Sequence, residues 1–186
     1  MNKFFLWLLG TVGVCVAYGW FTYNGLVKSN ESINNQWAQV ETQYQRRFDL
    51  IPNLVESVKG VMKQETKIFD ELAQARTRYA GAQTIDQKTA ATNQVEGAFG
   101  RLLAIMENYP QLKSSENVQT LMAQLEGTEN RISVERRRYN DEVKVYDIKL
   151  KTVPTKWLAR WFGFSERPYF EAVKGSEQAP RVNFAD

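Results

Sequence analysis

The chain has 186 residues with 24 Lys and Arg against 21 Asp and Glu, a formal net charge of +3, no histidine and a single cysteine. So even a balance excludes a protein that grips a phosphate backbone, and no nucleic-acid partner is expected. Without histidine there is no Ser-His-Asp or Cys-His nucleophile system, no zinc site built on His or Cys, and no Glu-x-x-His di-iron bundle. Gly-rich phosphate loops are missing too. Carboxylates, Lys, Ser and Tyr remain, but no catalytic residue, metal or cofactor is expected.

The first element is the uncharged run Phe4 to Phe21, FFLWLLGTVGVCVAYGWF. At about 18 residues it is long enough to cross a bilayer as a helix. A cleaved signal peptide is the rival reading. It needs a shorter apolar core and a small-x-small cleavage site, whereas this run ends in bulky Tyr18, Trp20, Phe21 and Tyr23. Trp7 at one end and Tyr18, Trp20 and Tyr23 at the other have the form of an interfacial belt. Residues 1–25 are therefore read as an uncleaved membrane anchor. The single cysteine, Cys15, lies inside it and leaves the redox compartment open. Lys3 and the amino terminus precede the span and only Lys28 closely follows it. The positive-inside rule then puts the N terminus in the cytoplasm and the domain outside the inner membrane, in the periplasm.

After the anchor, residues 26–153 read as one helical bundle. Ile33, Trp37, Val40, Tyr44, Phe48, Ile51, Val55, Val58 and Met62 advance in steps of three and four, which keeps one buried stripe on a helix. The stripe stays in phase through Pro52, which predicts a kink and not a reversal. It continues through Phe69 and Leu72 to Tyr79, where Ala80-Gly81-Ala82 supplies a stop. Thr84 to Gln87 has the form of a capping box and opens a second helix, through Val95, Phe99, Leu102, Leu103 and Met106, which Pro110 ends. Gly97 and Gly100 weaken that helix by about 1 kcal/mol each relative to Ala, and close helix–helix contact is the expected compensation.

The third helix has the strongest period. Val118, Leu121, Leu125, Thr128, Ile132, Arg136, Tyr139, Val143, Tyr146, Leu150 and Val153 alternate steps of three and four, a heptad seam that ends at Pro154. From Arg131 to Arg160 there are nine bases against four acids, enough for a solvated basic face or for contact with anionic headgroups. The last segment, residues 154–186, is a short aromatic helix followed by an extended tail from Pro168. Trp157, Trp161, Phe162 and Phe164 would fold back on the bundle end, meet a second copy, or lie at the membrane interface.

Read in order, the polar landmarks resemble the LemA family of bacterial membrane proteins. They include Tyr23-Asn24, Arg46-Arg47-Phe48-Asp49-Leu50-Ile51-Pro52-Asn53-Leu54-Val55, Val58-Lys59-Gly60 and Ala75-Arg76. Glu107-Asn108-Tyr109-Pro110, Leu112-Lys113, Thr128-Glu129-Asn130-Arg131-Ile132, Arg138-Tyr139-Asn140 and the closing Pro180, Val182 and Phe184 complete the set. Gln64 and Asp147 depart from it. The resemblance implies an N-terminal membrane helix, an antiparallel helical bundle and no defined active site. It associates the chain with membrane proteases or TPM-domain proteins as partners in envelope maintenance.

The expected fold is all-α: one transmembrane helix followed by a long antiparallel, coiled-coil-like bundle of three or four helices. Within it Arg47 is expected to pair with Glu129, with Asp49, Asn53, Asn130 and Asn140 in a polar network that fixes register. The function expected is that of a membrane-anchored, non-enzymatic scaffold that self-assembles and recruits other membrane proteins. A lipid-binding or membrane-shaping protein, acting through the basic and aromatic C-terminal segments, is the alternative. An enzyme using Glu129 would require a concave pocket with convergent polar groups.

Overall fold

The computed structural model describes residues 3–170, and every regular element among them is helical. The elements are α1 (Lys3–Lys59), α2 (Thr66–Gly81), α3 (Ile85–Met106), α4 (Pro110–Lys113), α5 (Glu116–Lys151) and α6 (Thr155–Trp161). The extended tail lies, beyond Phe170, outside the described residues, and so do Pro180, Val182 and Phe184. Two compact units are formed, one from Met1–Ala38 with Glu135–Asp186 and one from Gln39–Val134. Both α1 and α5 contribute to each.

In the first unit the start of α1 is the one helix among the described residues long and apolar enough to cross a membrane, and its window is unburied. Trp7, Tyr18, Trp20 and Tyr23 are all exposed on it. The helix does not break where the span ends. It runs on through buried Leu26, Ile33 and Trp37, which face Tyr139, Val143, Tyr146 and Leu150 of α5. Polar contacts set this pairing antiparallel: Lys149 Nζ donates to Ser29 Oγ at 2.5 Å, Ser32 Oγ to Glu142 at 2.9 Å, and Gln36 Nε2 to Glu135 at 2.7 Å.

In the second unit α1 passes through Pro52 as a helix and stops at Lys59. The break expected at the Ala80–Ala82 stop is preceded by this earlier one. Gly60 opens a turn in which the amides of Val61 and Met62 both bond the Val58 carbonyl. Two positions of the stripe differ from the expectation. Leu54 is buried where Val55 was expected, and Ile68 where Phe69 was expected. The chain then returns along α2, so that Tyr79 meets Phe48 with ring centroids 4.4 Å apart and Tyr44 at 6.1 Å. The capping box at α3 is formed in full, with Thr84 and Gln87 each bonding the other's backbone amide. Pro110 does not end α3, which stops at Met106. It opens α4 instead, where a missing N–H costs nothing. The seam of α5 is buried at Val118, Leu125, Thr128 and Ile132.

The close contact expected at Gly97 and Gly100 is not made. A methyl group at Gly100 would meet nothing within 4 Å, and one at Gly97 only the Arg101 guanidinium at 3.8 Å. Gly97→Ala and Gly100→Ala should therefore each stabilise the protein by up to about 1 kcal/mol, read as a rise in thermal midpoint. A fall at either position would show a hidden packing demand. The Tyr79 hydroxyl is buried with no hydrogen-bond partner. Burial, then the neighbouring Glu41 carboxylate and Tyr44, push it well above the usual phenol range. A raised phenol favours the folded state while neutral and loses that advantage as pH climbs past about 10, where the unfolded chain ionises. Tyr79→Phe should leave neutral-pH stability unchanged or slightly higher, and should blunt the alkaline loss in a pH series of unfolding midpoints.

Candidate functional site

Gln39–Val134 contains an apolar cavity of about 860 Å³. Phe99, Leu103 and Met106 of α3, Leu112 of α4, and Val118, Met122 and Leu125 of α5 line it. The α3–α4 turn gives it depth: the chain after Met106 makes two tight bonds, Asn108 to Ile105 and Tyr109 to Met106, before Pro110 restarts the helix. Gly100, with open space beside it, widens one wall. The bundle is thus not solid beside Glu129.

Arg47 lines the cavity and is only 5% exposed. Its Nη1 bonds the Glu129 carboxylate and stands 3.6 Å from Glu96. The guanidinium also lies over the Phe99 ring, 5.4 Å from its centroid, a cation–π contact in a dry setting. Its Nε is buried without a partner. Glu107 and Glu126 join Glu96 and Glu129 on the cavity wall, so four carboxylates and one arginine line it. Two of them, Glu96 and Glu129, are drawn onto the same guanidinium.

The other residues expected in the network lie elsewhere. Asp49, Asn53 and Asn130 are exposed. Asp49 and Asn53 share the outer face of α1, because the buried positions run Tyr44, Arg47, Phe48, Ile51, Leu54 and Val58. Asn140 belongs to the first unit, and there it clasps the tail. Its Nδ2 donates to the Phe170 carbonyl at 3.0 Å and its Oδ1 accepts the Phe170 amide at 2.9 Å. The Phe170 ring stacks on Trp37 at 5.5 Å and meets Tyr139 edge-on at 5.1 Å, with the Arg136 guanidinium over its face.

Glu96, Asp147 and Arg167 are residues that sequence reasoning missed. Asp147 is 3% exposed and accepts the Arg167 amide at 3.4 Å, while the Arg167 guanidinium bonds Asn34. Beside them the Tyr146 phenol is pushed up by burial, against the pull of Arg167 and with the help of Asp147. Of the aromatic residues in the C-terminal segment, Phe162 and Phe164 pack on Tyr23 at 5.0 and 5.8 Å, whereas Trp157 and Trp161 remain exposed.

Together these features define a single-pass membrane protein with an all-α domain that holds an apolar cavity lined in part by a buried arginine. The LemA family profile matches residues 36–184. The chain belongs to the LemA family. It is 27% identical over 175 residues to magnetosome protein MamQ 1 of Paramagnetospirillum magneticum, covering 80% of this chain and 64% of that protein. Magnetosome protein MamQ of Magnetospirillum gryphiswaldense is 26% identical over 174 residues with the same coverage. Protein LemA of Metamycoplasma hominis is 22% identical over 178 residues, 92% of this chain and 80% of its own. The chain thus spans a little under two thirds of the magnetosome relatives, and none of these relatives bears the name of an enzyme.

Glu129 is half exposed and Glu96 is mostly covered, so either can compensate Arg47 alone. Glu129→Gln should cost about 1 kcal/mol, in the range of a partly screened pair. The double change Glu96→Gln with Glu129→Gln should cost about 3 kcal/mol or more, because it strands a buried cation. Unfolding midpoints of the two single variants and the double variant test this; simple additivity would mean that Arg47 is solvated.

Proposed function

We propose that this protein is a membrane-anchored, non-enzymatic helical scaffold of the bacterial envelope that self-assembles and recruits other membrane proteins. The observation that carries the reading is the cavity of Gln39–Val134, with its apolar floor and its four carboxylates against one arginine. Such a surface suits an amphipathic helix with an apolar face and a basic flank. The apolar side chains of that helix would fill the space beside Leu103 and Met122, and its bases would meet Glu107 and Glu126. The N terminus lies in the cytoplasm and the domain outside it, in line with Lys3 before the span. Membership of the LemA family and likeness to magnetosome proteins support a role without chemistry of its own. The partner class suggested by family association is a membrane protease or TPM-domain protein.

A photo-cross-linking residue at Met122 of the full chain, in its own cells, tests this. The expected adduct joins Met122 to a basic amphipathic segment of another membrane protein, and charge reversal at Glu107 and Glu126 abolishes it. An adduct to a second copy of this chain would leave self-assembly and overturn recruitment through the cavity. Adducts to lipid alone, or an adduct indifferent to the charge reversals, would overturn the docking reading.

A further inference from the structure

We propose that α6 is a second membrane contact: a short helix lying in the headgroup layer of the bilayer that α1 spans, with anionic lipid as its ligand. This goes beyond the scaffold reading and does not depend on the cavity. The first observation is position. Thr155, at the start of α6, has its hydroxyl 3.5 Å from that of Tyr18, and the residues just after α6 pack on Tyr23. Tyr18 and Tyr23 bracket the end of the apolar run. At 1.5 Å per residue the run from Phe4 to Phe21 covers about 27 Å, close to the thickness of a hydrocarbon core. A helix held against Tyr18 and Tyr23 therefore sits at the depth of the interface, whichever side of the membrane that is.

The second observation is the pattern of faces. Trp157 and Trp161 stand four residues apart on α6 and are 67% and 81% exposed. Ala159 is buried and Leu158 half-buried, so the opposite side of α6 is the one that packs on protein. Lys156 and Arg160, again four apart, lie beside the tryptophan stripe, both exposed, and α6 holds no acid. An indole stripe flanked by bases is the composition that favours the boundary between acyl chains and anionic headgroups. In water two such indoles would leave a large apolar patch unsatisfied.

The third is that this geometry is built. Seven residues cannot hold a helix alone. Here Gly163, at φ 80°, turns the chain after Phe162, and the Phe164 amide returns to the Ala159 carbonyl at 2.9 Å. Lys151 is tied to Glu166 at 3.0 Å across the same segment. The helix is thus braced on its protein side while its tryptophans point away.

The test uses the full chain in phosphatidylcholine–phosphatidylglycerol vesicles with bromine carried either near the headgroup or near the chain end. Tryptophan emission of the Trp157→Phe, Trp161→Phe double variant is subtracted from that of the parent, which cancels Trp7, Trp20 and Trp37. The difference emission should be blue-shifted, and shallow bromine should remove about half of it or more while deep bromine removes little. Lys156→Glu with Arg160→Glu should reduce the shallow quenching about twofold. Emission at the wavelength of indole in water, quenched by aqueous iodide, would overturn the proposal. So would emission shielded from both bromine and iodide, which would mean that protein covers the stripe. Quenching unchanged by the charge reversals would overturn the headgroup contact.

Discussion

Everything in this molecule hangs on one helix having to satisfy two solvents. From Lys3 to Lys59 the backbone hydrogen bonds of α1 close within the helix itself, which is the condition for crossing hydrocarbon without a protein partner. The same helix must then offer a narrow stripe to α5. The change of environment is made by side chains alone. Up to Phe21 the residues are apolar all round; from Leu26 onward they are apolar only at steps of three and four. Within the first unit, Leu26, Ile33 and Trp37 continue the same helix as the span, so a rotation of the span in the bilayer turns these residues with it.

The seam itself was legible because α5 obeys a strict period. Val118, Leu125, Thr128, Ile132, Tyr139, Val143, Tyr146 and Leu150 are all buried, Leu121 and Arg136 are half-covered, and only Val153, past the helix end, faces outward. The capping box at Thr84 was legible for a similar reason, being a local exchange between residues three apart. Errors fell where local pattern competes with the path of the chain. A stripe read through Gly60 stays in phase on paper, yet the chain reverses there, and after Pro52 the buried position moves from Val55 to Leu54. Periodicity counts residues and cannot register a turn that happens to preserve the count.

The polar residues divide the same way. Arg47 and Glu129 stood out because each lies in a polar block, Arg46-Arg47-Phe48-Asp49 and Thr128-Glu129-Asn130-Arg131, beside an apolar stripe. Glu96 gave no such sign, since on α3 it sits in a mixed run between Val95 and Gly97 and gains its role only when Arg47 arrives from α1. The role of Asn140 was invisible for a different reason. Its partner is the peptide of Phe170, and a backbone group has no signature in a sequence. Gly97 and Gly100 misled because glycine in a helix has several causes, and close packing is only the commonest. Here the open side of Gly100 faces the cavity.

A buried arginine shared by two carboxylates is a poor source of stability. Covering Arg47 and most of Glu96 costs hydration that roughly offsets what the attraction returns, so an apolar replacement would hold the helices at least as well. What the arrangement adds is a shared contact: one guanidinium on α1 meets Glu96 of α3 and Glu129 of α5. The cavity beside it runs against stability as well, since unfilled apolar space forfeits contacts. Under the scaffold reading proposed above, these two features, each of which weakens a bundle, together form a recognition surface. Anchoring then changes how strong that recognition must be. A partner in the same membrane is held at high effective concentration and has less translational freedom to lose on binding. A groove of modest affinity is sufficient there, whereas a soluble protein would need a larger or deeper surface to hold the same partner.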